Sequence, residues 1–157
     1  PPVRTHRALI HPQPAPPTPP HFAPPAPART NSPARPFIPA TPAAMAAADL
    51  YIGRAGASTL AEITAAGLPA ILVPFPAAAA DHQTKNAEGM VRLGAAQLLV
   101  ERDFRPGALA ERVKNLAADS RHLAAMATAS AAAGKPDAAA HLADLAESLI
   151  AKAAVRA

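Results

Sequence analysis

The run Asp49-Leu-Tyr-Ile-Gly-Arg-Ala-Gly-Ala-Ser-Thr-Leu-Ala-Glu62 decides the fold. Leu50, Tyr51 and Ile52 read as a short buried strand, residues 53–57 as a turn with two glycines free to take positive φ, and Ser58 onward as the start of a helix. A strand that turns through glycines into a helix points several unpaired backbone N–H groups, and the positive end of the helix dipole, at one spot. That is anion-binding geometry. With Ser58 as the N-cap, Glu62 lies one turn further in, within reach of the hydroxyls of a ligand whose phosphate rests on Ser58 and Thr59. A nucleotide or nucleotide sugar fits. A plain helix start also fits, with Ser58 only capping and Glu62 only complementing the dipole. The local pattern leaves both open, because a Gly-rich turn by itself has many false positives.

The chain on either side extends the same pattern. The helix over residues 58–66 ends at Gly67, a natural residue just past a helix end, and Pro69 prevents its continuation. Ala70-Ile-Leu-Val73 is an apolar run between prolines, as in a strand buried on both faces. Pro74-Phe75-Pro76 stops it. Asp81 then caps a helix over residues 83–93, with Ala87, Met90 and Val91 marking its face and Gly94 its end. Gln97-Leu-Leu-Val100 is a third strand. Strands alternating with helices at this spacing predict right-handed crossovers and a parallel sheet, an α/β domain. Ligands of such sheets bind at the carboxyl ends of the strands, which puts the Gly53 turn and the loop over residues 74–83 on one edge.

The rest is helical: residues 106–117 with Leu109, Val113 and Leu116 inward, 119–132 with Leu123, Met126 and Ala127 inward, and 136–152. The last shows the clearest period, with Leu142, Leu145, Ala146, Leu149 and Ile150 on one face. These helices read as packing elements, and His122 and His141 as surface or boundary residues.

Composition removes several chemistries. The 157 residues contain no Cys, so disulfides, thiolate nucleophiles and Cys-ligated zinc are excluded, and the six His residues have no metal-like spacing. Net charge is +4, but no acidic residue precedes Asp49, while Arg4, Arg7, Arg29 and Arg35 do, so the remainder balances at zero. With 3% aromatic residues there is little to stack bases on, and no nucleic-acid partner is expected. The longest apolar run, residues 65–80, is broken by Pro69, Pro74 and Pro76, so no transmembrane helix is expected. No signal peptide is evident either, and the expected compartment is the cytoplasm.

Residues 1–36 stand apart as a Pro/Ala-rich tail. Of the 20 prolines, 15 lie at or before Pro42, which excludes regular helix and most sheet and favours disordered or polyproline II chain. Two hypotheses stand for it. Pro14 to Pro17 and Pro16 to Pro19 have the PxxP spacing of a recognition tail. Alternatively, a segment rich in Ala, Pro, Arg and His without Lys or acidic residues is what a GC-rich gene yields in the wrong frame or beyond a mis-called boundary. Reading the upstream DNA in its other frames separates the two.

Taken together, Phe37-Ile38, Ala46-Ala-Ala-Asp49, Arg54-Ala-Gly-Ala-Ser-Thr-Leu-Ala-Glu-Ile63, Ala65-Ala-Gly-Leu-Pro-Ala-Ile-Leu-Val-Pro-Phe75, Asp81-His-Gln-Thr-Lys-Asn-Ala87 and Gly134-Lys-Pro-Asp-Ala138 resemble the C-terminal domain of the MurG family of glycosyltransferase family 28. The resemblance covers about residues 37–154 and implies a partial GT-B (Rossmann-like) domain over residues 37–157, with about three parallel strands. It also implies a reaction, inverting transfer of N-acetylglucosamine from its UDP-sugar to a muramyl sugar on a polyprenyl-pyrophosphate carrier, which converts lipid I to lipid II in peptidoglycan synthesis.

The roles that follow are likewise carried by the resemblance. Ile38 meets uracil through its backbone with Phe37 beside it. Ala57, Ser58 and Thr59 hold the diphosphate, the stretch continues through Leu60 and Ala61, and Glu62 bonds the ribose. Gln83, with His82 next to it, contacts the sugar hydroxyls, and Asn86 on the same helical face either orients Gln83 or braces the helix. Backbone donors and a helix dipole at the diphosphate stabilise the leaving UDP without a bound metal or other cofactor.

Two departures stand out. Pro39, Ala40 and Thr41 replace an acidic pair and Met, and residues 77–80 are all Ala where the family has His-Ala-Ala-Asp. The family's N-terminal domain, with its acceptor site, peripheral membrane contact and candidate general base, is absent, so no catalytic residue is assigned and the isolated chain is expected to be inactive. A fragment of this kind leaves a sheet edge and helix faces open. The competing class is a non-catalytic nucleotide-binding or interaction module with a Pro-rich tail. A dinucleotide oxidoreductase is disfavoured because Gly53-Arg-Ala-Gly56 lacks the G-x-G-x-x-G fingerprint.

Overall fold

The computed structural model describes residues 8–10 and 40–154. Four strands, β1 (Ala8–Ile10), β2 (Leu50–Gly53), β3 (Ala70–Leu72) and β4 (Ala96–Leu98), form one sheet in the order β1-β2-β3-β4. All pairings are parallel, with Leu9 opposite Tyr51, Tyr51 opposite Ala70 and Ile71 opposite Gln97. The three strands expected from the apolar runs are present, although the last begins and ends earlier than residues 97–100. β1 corrects the expectation of irregular chain throughout the tail. It falls between Pro2 and Pro12, in a window free of the residue that would withhold a ladder hydrogen bond.

Strand side chains alternate between two cores, as the pleat requires. Tyr51, Ala70, Leu72 and Ala96 face one side and pack with Met45 of α1 (Thr41–Ala46), Ile63 of α2 (Ala57–Ala65), and Ala87 and Met90 of α3 (His82–Arg92). Leu50, Ile52, Ile71 and Val73 face the other and meet Leu116 of α4 (Pro106–Ala118) and Met126 of α5 (Ser120–Ala133). Leu109, Val113 and Leu123 flank that second core, as their spacing predicts. Val91, by contrast, is exposed, because α3 buries only the narrow stripe of Ala87 and Met90.

Helix ends follow local chemistry. Gly67 and Gly94 take φ of +62° and +74° just past α2 and α3, conformations that L side chains rarely adopt. Asp119 caps α5 by accepting the His122 amide at 2.9 Å. Gly134 ends α5 for a different reason: its φ is −67°, but a Cβ there would stand 2.7 Å from the Thr64 carbonyl oxygen of α2. The chain leaving α5 lies directly on the backbone of α2.

The final helix, α6 (Ala138–Ala154), overturns its expected burial. Leu142, Leu145, Leu149 and Ile150 are 67%, 55%, 57% and 70% exposed, and Ala146 is exposed with them. The amphipathic stripe is as the periodicity reads, but among the described residues no element covers it. No helix among these residues is long and apolar enough to cross a membrane.

Two outcomes test this packing. Gly134→Ala forces the α2 and α5 backbones apart, and thermal or urea unfolding should show a loss of about 1–3 kcal/mol, the usual cost of overpacking. Tyr51, the single tyrosine, is 2% exposed, and burial first and the Glu62 charge second raise its pKa from 10.0 to about 12. Its folded-state pKa exceeds its unfolded one, so the linked stability is whole below pH 10 and is lost as pH rises through about 12. Tyrosinate absorbance should titrate late in the folded chain and near its ordinary value in denaturant. Tyr51→Phe should remove roughly 2–3 kcal/mol of alkaline pH dependence.

Candidate functional site

β2 ends at Gly53, and neither Gly53 nor Gly56 takes the positive φ expected of this turn. Gly53 makes room for a neighbour: a Cβ there would run into the phenol end of Tyr51, two residues back on the same face, and the ring would have to shift. The Tyr51 hydroxyl reaches forward to donate to the Arg54 carbonyl at 3.4 Å. Gly56 is the N-cap of α2 in extended backbone (φ −67°, ψ 148°), so Ser58 is the second helical residue and not the cap.

This shift moves the helix start, with its unpaired amides, two residues earlier. Among the described residues no side chain caps α2, and the first helical hydrogen bond runs from the Leu60 amide to the Gly56 carbonyl at 3.0 Å. The N–H groups of Ala57, Ser58 and Thr59 therefore lie ahead of the helical ladder, with no carboxylate in the first turn to occupy them. Ala57 and Ser58 are exposed, and Thr59 and Leu60 half-buried. Ala61 and Glu62 follow on the outer surface. The Glu62 carboxylate makes no hydrogen bond among the described residues, yet its charge is close enough to contribute to the raised Tyr51 pKa.

The second wall comes from the connection between β3 and α3. Ala80 and Asp81 both take left-handed conformations, φ 49° and 53°, and Asp81 holds the N-cap position without a side-chain bond. The His82 Nδ1 lies 2.8 Å from the Ala79 carbonyl oxygen, which assigns the proton to Nδ1 and makes His82 a brace of its own turn. Gln83 accepts the Phe75 amide at 3.0 Å through Oε1, which leaves its Nε2 amide group to donate elsewhere. Asn86 makes no direct hydrogen bond to Gln83. Its Nδ2 donates to the Ala55 carbonyl at 3.0 Å, inside the turn that leads into α2. The two loops placed on one edge by topology are thus in direct contact.

Arg54 is the residue that sequence reasoning missed. Its Nη1 lies 3.2 Å from the Val73 carbonyl, 3.0 Å from the Pro74 carbonyl and 2.8 Å from Glu101 Oε2. Its guanidinium also stands 5.4 Å over the Phe75 ring. Nothing in the Gly53-Arg-Ala-Gly56 pattern signals contacts 19 to 47 positions away. Phe37 and Ile38, expected at a uracil, lie outside the described residues.

The model of the glycosyltransferase family 28 C-terminal domain matches residues 25–142, a span that takes in the end of the Pro-rich stretch. Over 118 residues the chain is 48% identical to the UDP-N-acetylglucosamine--N-acetylmuramyl-(pentapeptide) pyrophosphoryl-undecaprenol N-acetylglucosamine transferase of Xanthomonas axonopodis pv. citri (strain 306), covering 75% of this chain and 28% of that protein. A protein of the same name from Moorella thermoacetica is 52% identical over 95 residues, covering 60% of this chain and 26% of the relative. The crystal structure of Acinetobacter baumannii MurG aligns with a TM-score of 0.65 at 37% identity, over 71% of this chain and 32% of that one. The chain spans little more than a quarter of the length of these curated relatives. Its sheet is the α/β core of a partial GT-B C-terminal domain. With that sheet, the uncapped turn into α2 and a family match over most of its length, the chain belongs to the glycosyltransferase family 28 C-terminal domain family.

Proposed function

We propose that this chain is the donor-binding part of an inverting N-acetylglucosaminyltransferase of peptidoglycan synthesis, with UDP-N-acetylglucosamine as its ligand. One observation carries the reading. Three uncapped amides at the start of α2 and the donor end of Gln83 sit on two elements tied together by the Asn86–Ala55 hydrogen bond. The diphosphate rests on the amides of Ala57, Ser58 and Thr59, where no acidic side chain competes. Glu62, exposed and with no hydrogen bond to its carboxylate among the described residues, accepts from the ribose hydroxyls. Gln83 donates to the sugar, with His82 at the rim.

The chemistry of transfer fits this placement. As the glycosidic bond to phosphate breaks, negative charge grows on UDP, and fixed backbone dipoles stabilise it more in the transition state than in the ground state. The acceptor, a lipid-linked muramyl sugar at the cytoplasmic face of the membrane, and the base that takes its hydroxyl proton belong to the part of the enzyme outside this chain. The isolated chain binds donor and transfers nothing.

Calorimetry of the chain with UDP and UDP-N-acetylglucosamine tests the reading. Both should bind. Glu62→Ala should weaken both by about 10- to 100-fold, the loss of a charge-assisted hydrogen bond. A folded sample that binds neither ligand at millimolar concentration contradicts the proposal, as does a Glu62→Ala variant with unchanged UDP affinity.

A further inference from the structure

The links between Arg54, the β3 exit and Gln83 form one continuous path. Pro74 and Pro76 carry no N–H, so in Pro74-Phe75-Pro76 the Phe75 amide is the single backbone donor. That donor goes to Gln83 Oε1 at 3.0 Å. The carbonyl of the same peptide unit, Pro74 C=O, accepts from Arg54 Nη1 at 3.0 Å. A peptide unit is planar and stiff, so its two ends move together. Arg54 grips one end from the turn that leads into α2, and Gln83 holds the other from the first turn of α3.

Two further contacts hold the path in place. Glu101, on the connection after β4, meets the same Arg54 nitrogen at 2.8 Å, and the guanidinium packs over the Phe75 ring. Asn86, three residues after Gln83 on α3, donates to the Ala55 carbonyl next to Arg54. The phosphate cradle and the Gln83 side chain are therefore connected twice, once through the Pro74–Phe75 peptide and once through Asn86. Charge on the donor strengthens the first connection, and bonds in series polarise one another.

We propose that Arg54 and Asn86, with Glu101 behind Arg54, are positioning residues that set where the Gln83 amide stands relative to the α2 cradle, and so set how strongly the site prefers a UDP-sugar over UDP. The inference rests on the donor-site reading above. None of the three needs to touch the ligand. Their effect appears in the sugar increment, the ratio of the UDP dissociation constant to that of UDP-N-acetylglucosamine.

A double-mutant cycle on the 157-residue chain tests this. Calorimetry with UDP and with UDP-N-acetylglucosamine is run on wild type, Asn86→Ala, Arg54→Lys and Glu101→Gln, each alone and in a Gln83→Ala background. Arg54→Lys keeps the charge and loses the planar fork, and Glu101→Gln alters an exposed side chain, so folding survives in both. The expected result is a severalfold smaller sugar increment in every single variant, little change for UDP, and no further fall once Gln83 is already Ala. Variants that melt earlier but keep the wild-type increment overturn the proposal, as do variants whose effects add fully to that of Gln83→Ala. If wild type binds UDP with no sugar increment, the proposal fails while the diphosphate site stands. If wild type binds neither, the donor-site reading has failed first.

Discussion

A parallel sheet covered on both faces has to return every strand by a crossover, and that constraint organises this molecule. Tyr51, Ala70 and Leu72 are buried against one set of helices and Leu50, Ile52 and Ile71 against the other, so the turns after β2 and β3 can emerge only at the carboxyl edge. There the backbone leaves its ladder and its polar groups need partners. The Arg54 side chain satisfies the Val73 and Pro74 carbonyls, and Asn86 satisfies that of Ala55. The amides of Ala57, Ser58 and Thr59 are left facing outward. Among the described residues these three acceptors are satisfied, while the three amides at the start of α2 are not. That asymmetry favours an anion.

Strand and helix positions were legible because they depend on neighbours in sequence. Leu50 to Ile52 and Ala70 to Val73 are apolar runs closed by glycine or proline, and Gly67 and Gly94 mark helix ends by a backbone conformation that suits them alone. The cradle was legible as strand, turn and helix, but its detail was not. Ser58 is a strong capping type, yet the extended backbone of Gly56 comes first and the helix starts ahead of it. Gly53 is explained by the Tyr51 ring and not by φ. What stayed hidden is whatever links distant positions: Arg54 to Glu101 and Asn86 to Ala55 exist only once crossovers bring the loops together. β1 was masked by the composition around it.

One apolar face is left exposed among the described residues. The stripe on α6 has the spacing of a buried face and no cover among the described residues. The curated relatives are more than three times the length of the aligned region. In the proposed function the chain holds the donor and stabilises its departure, and the base for the attacking hydroxyl is supplied from outside it.

The central claim is that the uncapped start of α2 is a diphosphate site. An amide NMR titration of the chain with UDP tests it most directly. The account predicts that the Ala57, Ser58 and Thr59 amide resonances move furthest and together, with saturation at one dissociation constant. UDP binding that leaves those three amides unmoved while others shift would contradict it.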